Sequence, residues 1–113
     1  MNQDFGVVGP HRLWVGDITY IDTDEGWLYL AKVMDVYNRE IIGWAADKRM
    51  KKELVIKAMD RALLKRTVNN ELIFHSDRGS QYASHEFRKQ LITNGIRQSM
   101  SEKTDSVEIV FSH

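Results

Sequence analysis

Cysteine is absent from the 113 residues, so disulfides and thiolate metal sites are excluded and redox chemistry by the chain itself is not expected. Proline occurs once, at Pro10, in an irregular opening that ends near His11. An excess of charge of either sign is also missing. Sixteen basic and sixteen acidic side chains cancel, so no overall field pulls the chain toward nucleic acid or an anionic membrane. Composition therefore neither supports nor excludes DNA as a partner. No apolar run is long enough to cross a bilayer, and the first residues lack a basic segment followed by an apolar one, which leaves no membrane partner and no export signal. The reading is of a soluble, cytoplasmic protein. Repeats and low-complexity tracts are absent too, and the length suits one domain with one core.

What is present is a sequence of alternating and periodic segments. Leu13 to Thr23 alternates, with Leu13, Val15, Asp17, Thr19 and Ile21 on one side and Trp14, Ile18 and Tyr20 on the other, the signature of a strand. Asp24-Glu25-Gly26 signals a hairpin, and Trp27 to Met34 is a nearly continuous apolar run suited to an interior strand ended by Asp35. Asn38-Arg39 makes a second tight connection, with Asp35 and Arg39 fixing that turn, before a third strand from Glu40 to Ala46. From about Lys51 the period becomes helical, with Val55, Ala58, Met59, Ala62 and Leu63 inward and a stop at Thr67-Val68-Asn69-Asn70. A fourth strand follows from Leu72. Ser84 caps a second helix that turns Phe87, Leu91 and Ile92 inward and ends at Gly95, and Ile96 to Ser99 forms a short fifth strand. The expected order is β-β-β-α-β-α-β, an α/β fold in which the fourth strand returns parallel to the first by a right-handed crossover.

Chemistry concentrates at Leu72-Ile73-Phe74-His75-Ser76-Asp77-Arg78-Gly79-Ser80-Gln81-Tyr82, where an apolar strand delivers a carboxylate to a loop rich in hydroxyl and amide groups. Taken alone, Asp77 and Gly79 read as an Asx-type turn. A second acid, Asp17, stands inside the first strand among apolar neighbours, where an ionised carboxylate requires a cation, donors or water. The topology brings Asp17 and Asp77 to neighbouring positions across a strand pair. Hard oxygen ligands without cysteine favour Mg²⁺ or Mn²⁺ over Zn²⁺. Two such ions about 3.5–4 Å apart activate an attacking oxygen and neutralise a leaving one in phosphodiester chemistry.

Five stretches then carry a resemblance: Trp14-Val15-Gly16-Asp17-Ile18-Thr19-Tyr20-Ile21, Gly26-Trp27-Leu28-Tyr29-Leu30, Asn38-Arg39-Glu40-Ile41-Ile42-Gly43-Trp44, His75-Ser76-Asp77-Arg78-Gly79-Ser80-Gln81-Tyr82 and Gly95-Ile96-Arg97-Gln98-Ser99-Met100-Ser101. Together they resemble the integrase core of bacterial insertion-sequence transposases of the IS3 type, from about Leu13 to Ser101. The resemblance implies a ribonuclease-H-like fold with a five-stranded mixed sheet, a triad of two aspartates and a glutamate, Mg²⁺, and DNA cleavage and joining during transposition. Asp17 matches the first family acid and Asp77 the second. The third departs from the pattern Ser-Met-Ser-x-x-Gly-x-x-x-Asp-Asn-Ala-x-x-Glu: its glycine position holds Thr104, its Asp-Asn-Ala positions hold Glu108, Ile109 and Val110, and its glutamate position holds His113. Val107 to Phe111 is β-prone where the family has a helix, so the terminal helix is read as missing or altered, as a shifted frame or decayed gene copy would leave it.

The expected organisation is an irregular segment 1–12, an integrase core 13–101 and a divergent tail 102–113. Glu108 is a weak surrogate for the third acid. Arg78, Ser80 and Gln81 are placed to touch a phosphate backbone, and Lys48, Arg49, Lys51 and Lys52 form the one basic cluster, suited to salt-sensitive contact with DNA. His75 reads as structural, and Trp14, Trp27 and Trp44 as core or interface anchors. The first expectation is a transposase core impaired in strand transfer, acting on insertion-element ends and target DNA as a homodimer. Alternatives are a non-catalytic dimerisation module and another ribonuclease-H-like nuclease.

Overall fold

A computed structural model describes residues 9–65 and 71–101. The elements are β1 (Leu13–Thr23), β2 (Gly26–Asp35), β3 (Glu40–Asp47), α1 (Lys52–Lys65), β4 (Ile73–Asp77), α2 (His85–Thr93) and β5 (Arg97–Ser101), in the order expected from the sequence. They form one five-stranded sheet ordered β3-β2-β1-β4-β5. The first three strands are an antiparallel meander, whereas β4 pairs parallel to β1 and β5 parallel to β4. The sheet is therefore mixed, and β1 is its central strand.

Local chemistry fixes the meander. At the first hairpin the Thr23 hydroxyl donates to the Gly26 carbonyl at 2.6 Å and accepts from the Glu25 amide at 3.2 Å. At the second, Asp35 is wholly buried and does three things: its Oδ1 accepts from Tyr37 N at 3.1 Å, its Oδ2 accepts from His11 N at 3.0 Å, and its carbonyl accepts from Arg39 N at 2.7 Å. Arg39 takes a left-handed backbone there, with φ 62°. The turn role read for Asp35 thus works through backbone amides.

Both helices lie on one face of the sheet and touch each other. The core joins Trp14 of β1, Ala31 and Val33 of β2, Ala45 of β3 and Phe74 of β4 to the inward sides of α1 and α2. In α1 the buried residues are Leu54, Val55, Ala58, Met59 and Ala62, so Leu54 joins the expected set while Leu63 is only half-buried. The expected stop at Thr67–Asn70 lies outside the described residues. In α2 the Ser84 hydroxyl accepts from Phe87 N at 3.2 Å, as a cap should, and Asn94 and Gly95 end the helix. Ile92, expected inward, is 76% exposed. One residue on from Leu91 is a turn of about 100° around the helix, which carries Ile92 off the face that Phe87 and Leu91 share. Ile96, expected in the fifth strand, is buried just before β5 begins.

α1 seats on β3 through Gly43. A Cβ there would stand 2.4 Å from the Ala58 carbonyl oxygen and 2.5 Å from the Ala62 amide nitrogen, both backbone atoms of the helix. No side-chain rotation relieves such a contact. Gly43→Val is expected to cost about 1–3 kcal/mol or more as α1 is pushed off the sheet. Urea unfolding checks this, and a midpoint equal to wild type would contradict the close seat.

Candidate functional site

The β1–β4 ladder pairs Leu13 with Ile73, Trp14 with Phe74 and Val15 with His75, a constant offset of sixty positions. The ladder ends there, and Asp17 and Asp77 each lie two residues beyond it, on β1 and at the end of β4. Side chains two positions apart share a face, so Asp17 points with Val15 and Asp77 with His75. Both carboxylates line one cavity of about 390 Å³, whose wall also includes Arg78, Ser80 and Gln81. The two acids and three of the polar residues singled out in the sequence therefore meet in one place.

Asp17 is largely open to solvent. Its side chain is 67% exposed, with Lys32 Nζ 4.0 Å away on the neighbouring strand. Burial declines along β1 toward Thr23. Asp77 ends β4, and its Oδ1 accepts the Gly79 amide at 2.8 Å, the Asx turn that the sequence suggested. That leaves its second oxygen for the cavity. The loop then tightens as the amides of Tyr82 and Ala83 donate to the Gly79 carbonyl at 3.0 and 3.1 Å, while Gln81 Nε2 donates to the Met50 carbonyl at 3.3 Å.

Beneath the acids lies Tyr82, which is 3% exposed and packed against Phe74 and Phe87 at ring separations of 5.8 and 5.6 Å. Gly16 makes room for this arrangement, because a Cβ there would fall 2.3 Å from Phe74 Cζ and 3.1 Å from Tyr82 Cε1. The phenol edge thus passes under the strand residue next to Asp17. The hydroxyl is buried with no hydrogen-bond partner among the described residues. Burial first, and then the charges of Asp17 and Asp77, push the phenol far above its ordinary value, so it stays protonated. His75 is buried and shares a hydrogen bond of 2.8 Å between its Nδ1 and the Ser99 hydroxyl, with desolvation holding its pKa below the ordinary value. It braces β4 against β5, as its structural reading required.

The basic cluster divides. Lys51 and Lys52 line a groove with Ser80, Gln81 and Ser84, which is continuous with the acidic cavity through Met50, Ser80 and Gln81. Lys52 also pairs with Glu86 at 2.8 Å, and that hydrogen bond raises its pKa. Lys48 lines a separate depression at the tip of the β1–β2 hairpin, beside Asp24, Glu25 and Trp27. Arg49 donates its amide to Asp47 Oδ1 at 3.3 Å. Of the tryptophans, Trp14 is wholly buried, whereas Trp27 and Trp44 are 54% and 53% exposed. Sequence reasoning assigned no role to Tyr82, Tyr20 or Met50, which also line the cavity.

Among the described residues no group of three or more His, Cys, Asp or Glu side chains is gathered to hold an ion. Glu108 lies outside the described residues. Two adjacent carboxylates at an open cavity, with hard oxygens and room for water, fit one shared ion of the Mg²⁺ or Mn²⁺ kind.

Residues 8–106 match the model of the integrase core domain family. The chain is 47% identical over 103 residues to the transposase InsF of insertion sequence IS3A from Escherichia coli K12, covering 91% of this chain and 36% of that protein. It is also 47% identical over 103 residues to an uncharacterised 31 kDa protein of insertion element IS600 from Shigella sonnei, covering 91% of this chain and 38% of that one. The chain thus spans little more than a third of the length of these curated relatives. Among solved structures, the HTLV-2 integrase catalytic core domain, in complex with magnesium and in a trimeric form, superposes with a TM-score of 0.72 at 20% identity, over 81% of this chain and 60% of that one. The BIV integrase catalytic core domain gives 0.68 at 16% identity, over 85% of this chain and 58% of that one. The fold is accordingly that of integrase catalytic cores, ribonuclease-H-like. Among the described residues no helix is long and apolar enough to cross a membrane.

Proposed function

This chain belongs to the integrase core domain family, and from that membership we propose that it is a catalytic core for metal-dependent cleavage and transfer of DNA strands, of the kind used by insertion sequences. One observation carries the proposal: Asp17 and Asp77, on adjacent parallel strands, line the same cavity. In this reading the two carboxylates hold one Mg²⁺ or Mn²⁺ ion between them. Bound there, the ion would polarise the scissile phosphate and help to ionise the attacking hydroxyl. Asp17 and Asp77 supply its protein oxygens, and the Gly79 amide keeps Asp77 in place. Arg78, Ser80 and Gln81 touch the phosphate backbone, and Lys51 and Lys52 extend that contact along the adjoining groove, while Lys48 and Arg49 contribute only at longer range. Water as nucleophile nicks the strand. A DNA 3′-hydroxyl as nucleophile joins two strands, with no covalent protein intermediate.

Residues 13–101 form the core in this reading, and 102–113 a divergent tail. Glu108 remains a weak surrogate for the third acid, because it occupies the aspartate position of the family pattern and not the glutamate position. With two acids a second ion is poorly held, so nicking is slow and joining slower still. The chain works in the bacterial cytoplasm on insertion-element ends and target DNA. A second reading has its own observation: Trp27, Trp44, Tyr20 and Tyr37 each expose half or more of their surface, which suits a homodimer interface or contact with a complete transposase. The test of the first reading is incubation of the chain with duplexes carrying insertion-sequence ends, with and without Mg²⁺. Slow nicking that chelation stops supports it. No nicking in Mg²⁺ or Mn²⁺, together with dimerisation that Trp44→Ala abolishes, supports the second reading. Preferential cutting of an RNA–DNA hybrid would favour a nuclease of different substrate.

A further inference from the structure

Among the described residues of the cavity wall, Tyr82 is the one buried polar group that neither the fold nor the proposed chemistry uses. Its ring is clamped by Phe74 and Phe87, its amide donates to the Gly79 carbonyl at 3.0 Å, and its carbonyl accepts from Gln98 Nε2 at 2.8 Å. Everything about the residue is therefore fixed except the partner of its hydroxyl. A phenylalanine would pack equally well and would avoid leaving a buried donor without an acceptor, which is a destabilising arrangement. The ring edge lies under Gly16, next to Asp17, and the residue lines the cavity into which both acids open. The acceptors in the same cavity wall include the carboxylates of Asp17 and Asp77, both on exposed residues, and one oxygen of Asp77 is already engaged by the Gly79 amide.

We propose that Tyr82 is a positioning residue whose hydroxyl donates a hydrogen bond to the Asp17–Asp77 pair when the pair holds its cation, locking the carboxylates in the orientation that binds the ion. The inference rests on the metal-holding role given to the two acids. Carboxylates that ligate metals are themselves held by hydrogen bonds, and loss of such a partner typically weakens metal binding about 10–100-fold. In the cation-free chain the same hydroxyl adds no stability and, being buried without an acceptor, costs some.

The test uses the full chain, Mn²⁺ alone as probe, and electron paramagnetic resonance to count free ion. Tyr82→Phe is expected to weaken Mn²⁺ binding about tenfold, while its thermal midpoint without metal equals or exceeds that of wild type. The upward shift in midpoint that Mn²⁺ confers on wild type should shrink in the variant. A purely structural tyrosine would show the reverse, a lowered midpoint with unchanged affinity, and that result overturns the inference. Asp77→Asn separates the two levels of argument. If it removes Mn²⁺ binding while Tyr82→Phe leaves binding at the wild-type value, the metal site stands and the role of Tyr82 falls. If wild type and Asp77→Asn bind Mn²⁺ equally weakly, both fall.

Discussion

Asp77→Asn is expected to remove Mg²⁺-dependent nicking of DNA, with a loss of at least about a hundredfold, since a direct ligand should matter more than the outer partners whose loss costs 10–100-fold. The substitution is close to isosteric. Its amide oxygen still accepts from Gly79 N, so the Asx turn and the loop behind it are retained. What disappears is one negative charge and one hard oxygen donor at the mouth of the cavity. Circular dichroism should therefore match wild type while activity is lost, and Asp17→Asn should behave in the same way. Nicking that continues at the wild-type rate in Asp77→Asn would move the chemistry elsewhere or assign it to a contaminating nuclease.

Trp14→Ala carries the largest expected cost to stability, about 3–5 kcal/mol by comparison with other aromatic truncations in cores. Trp14 is wholly buried at the centre of the sheet, with β2 on one side of it and β4 on the other. Its indole Nε1 donates to His11 Nδ1 at 3.2 Å, and His11 in turn lies against the buried Asp35. Truncation leaves a void and undoes the clasp that holds the start of β1. Domains of this size have about 5–15 kcal/mol in total, so the variant loses a large share of it. Denaturant titration followed by circular dichroism measures the difference, and a loss below about 1 kcal/mol would contradict the central place given to this residue.

Much of this architecture was legible because the relevant signals are periodic. The alternation from Leu13 to Thr23, the hairpin at Asp24-Glu25-Gly26 and the Ser84 cap each specify local geometry with little help from the rest of the chain. The meeting of Asp17 with Asp77 was legible for a different reason. A strand that follows a helix and returns beside the first is expected to run parallel to it, and β4 does so, which brings its end to the cavity that Asp17 also lines. Burial was harder to read. Asp17 has apolar neighbours in sequence, but its side chain is 67% exposed. Ile92 is apolar yet lies a turn of 100° from the buried stripe, and Trp27 stands near a hairpin tip. Basic residues adjacent in sequence also separate, because the chain turns sharply between Lys48 and Lys51 and sends the first toward the hairpin and the second toward the loop after Asp77. The hydroxyl of Tyr82 left no trace in the pattern, since an aromatic at that position packs the same way with or without its oxygen.

The most direct measurement is a Mn²⁺ titration of four proteins: wild type, Asp17→Asn, Asp77→Asn and the double variant. Two carboxylates that share one ion act as a unit, so each single substitution should remove most of the affinity and the double should remove little more. Independent losses that add in the double variant, or affinity in both single variants equal to wild type, would show that Asp17 and Asp77 do not hold a common ion.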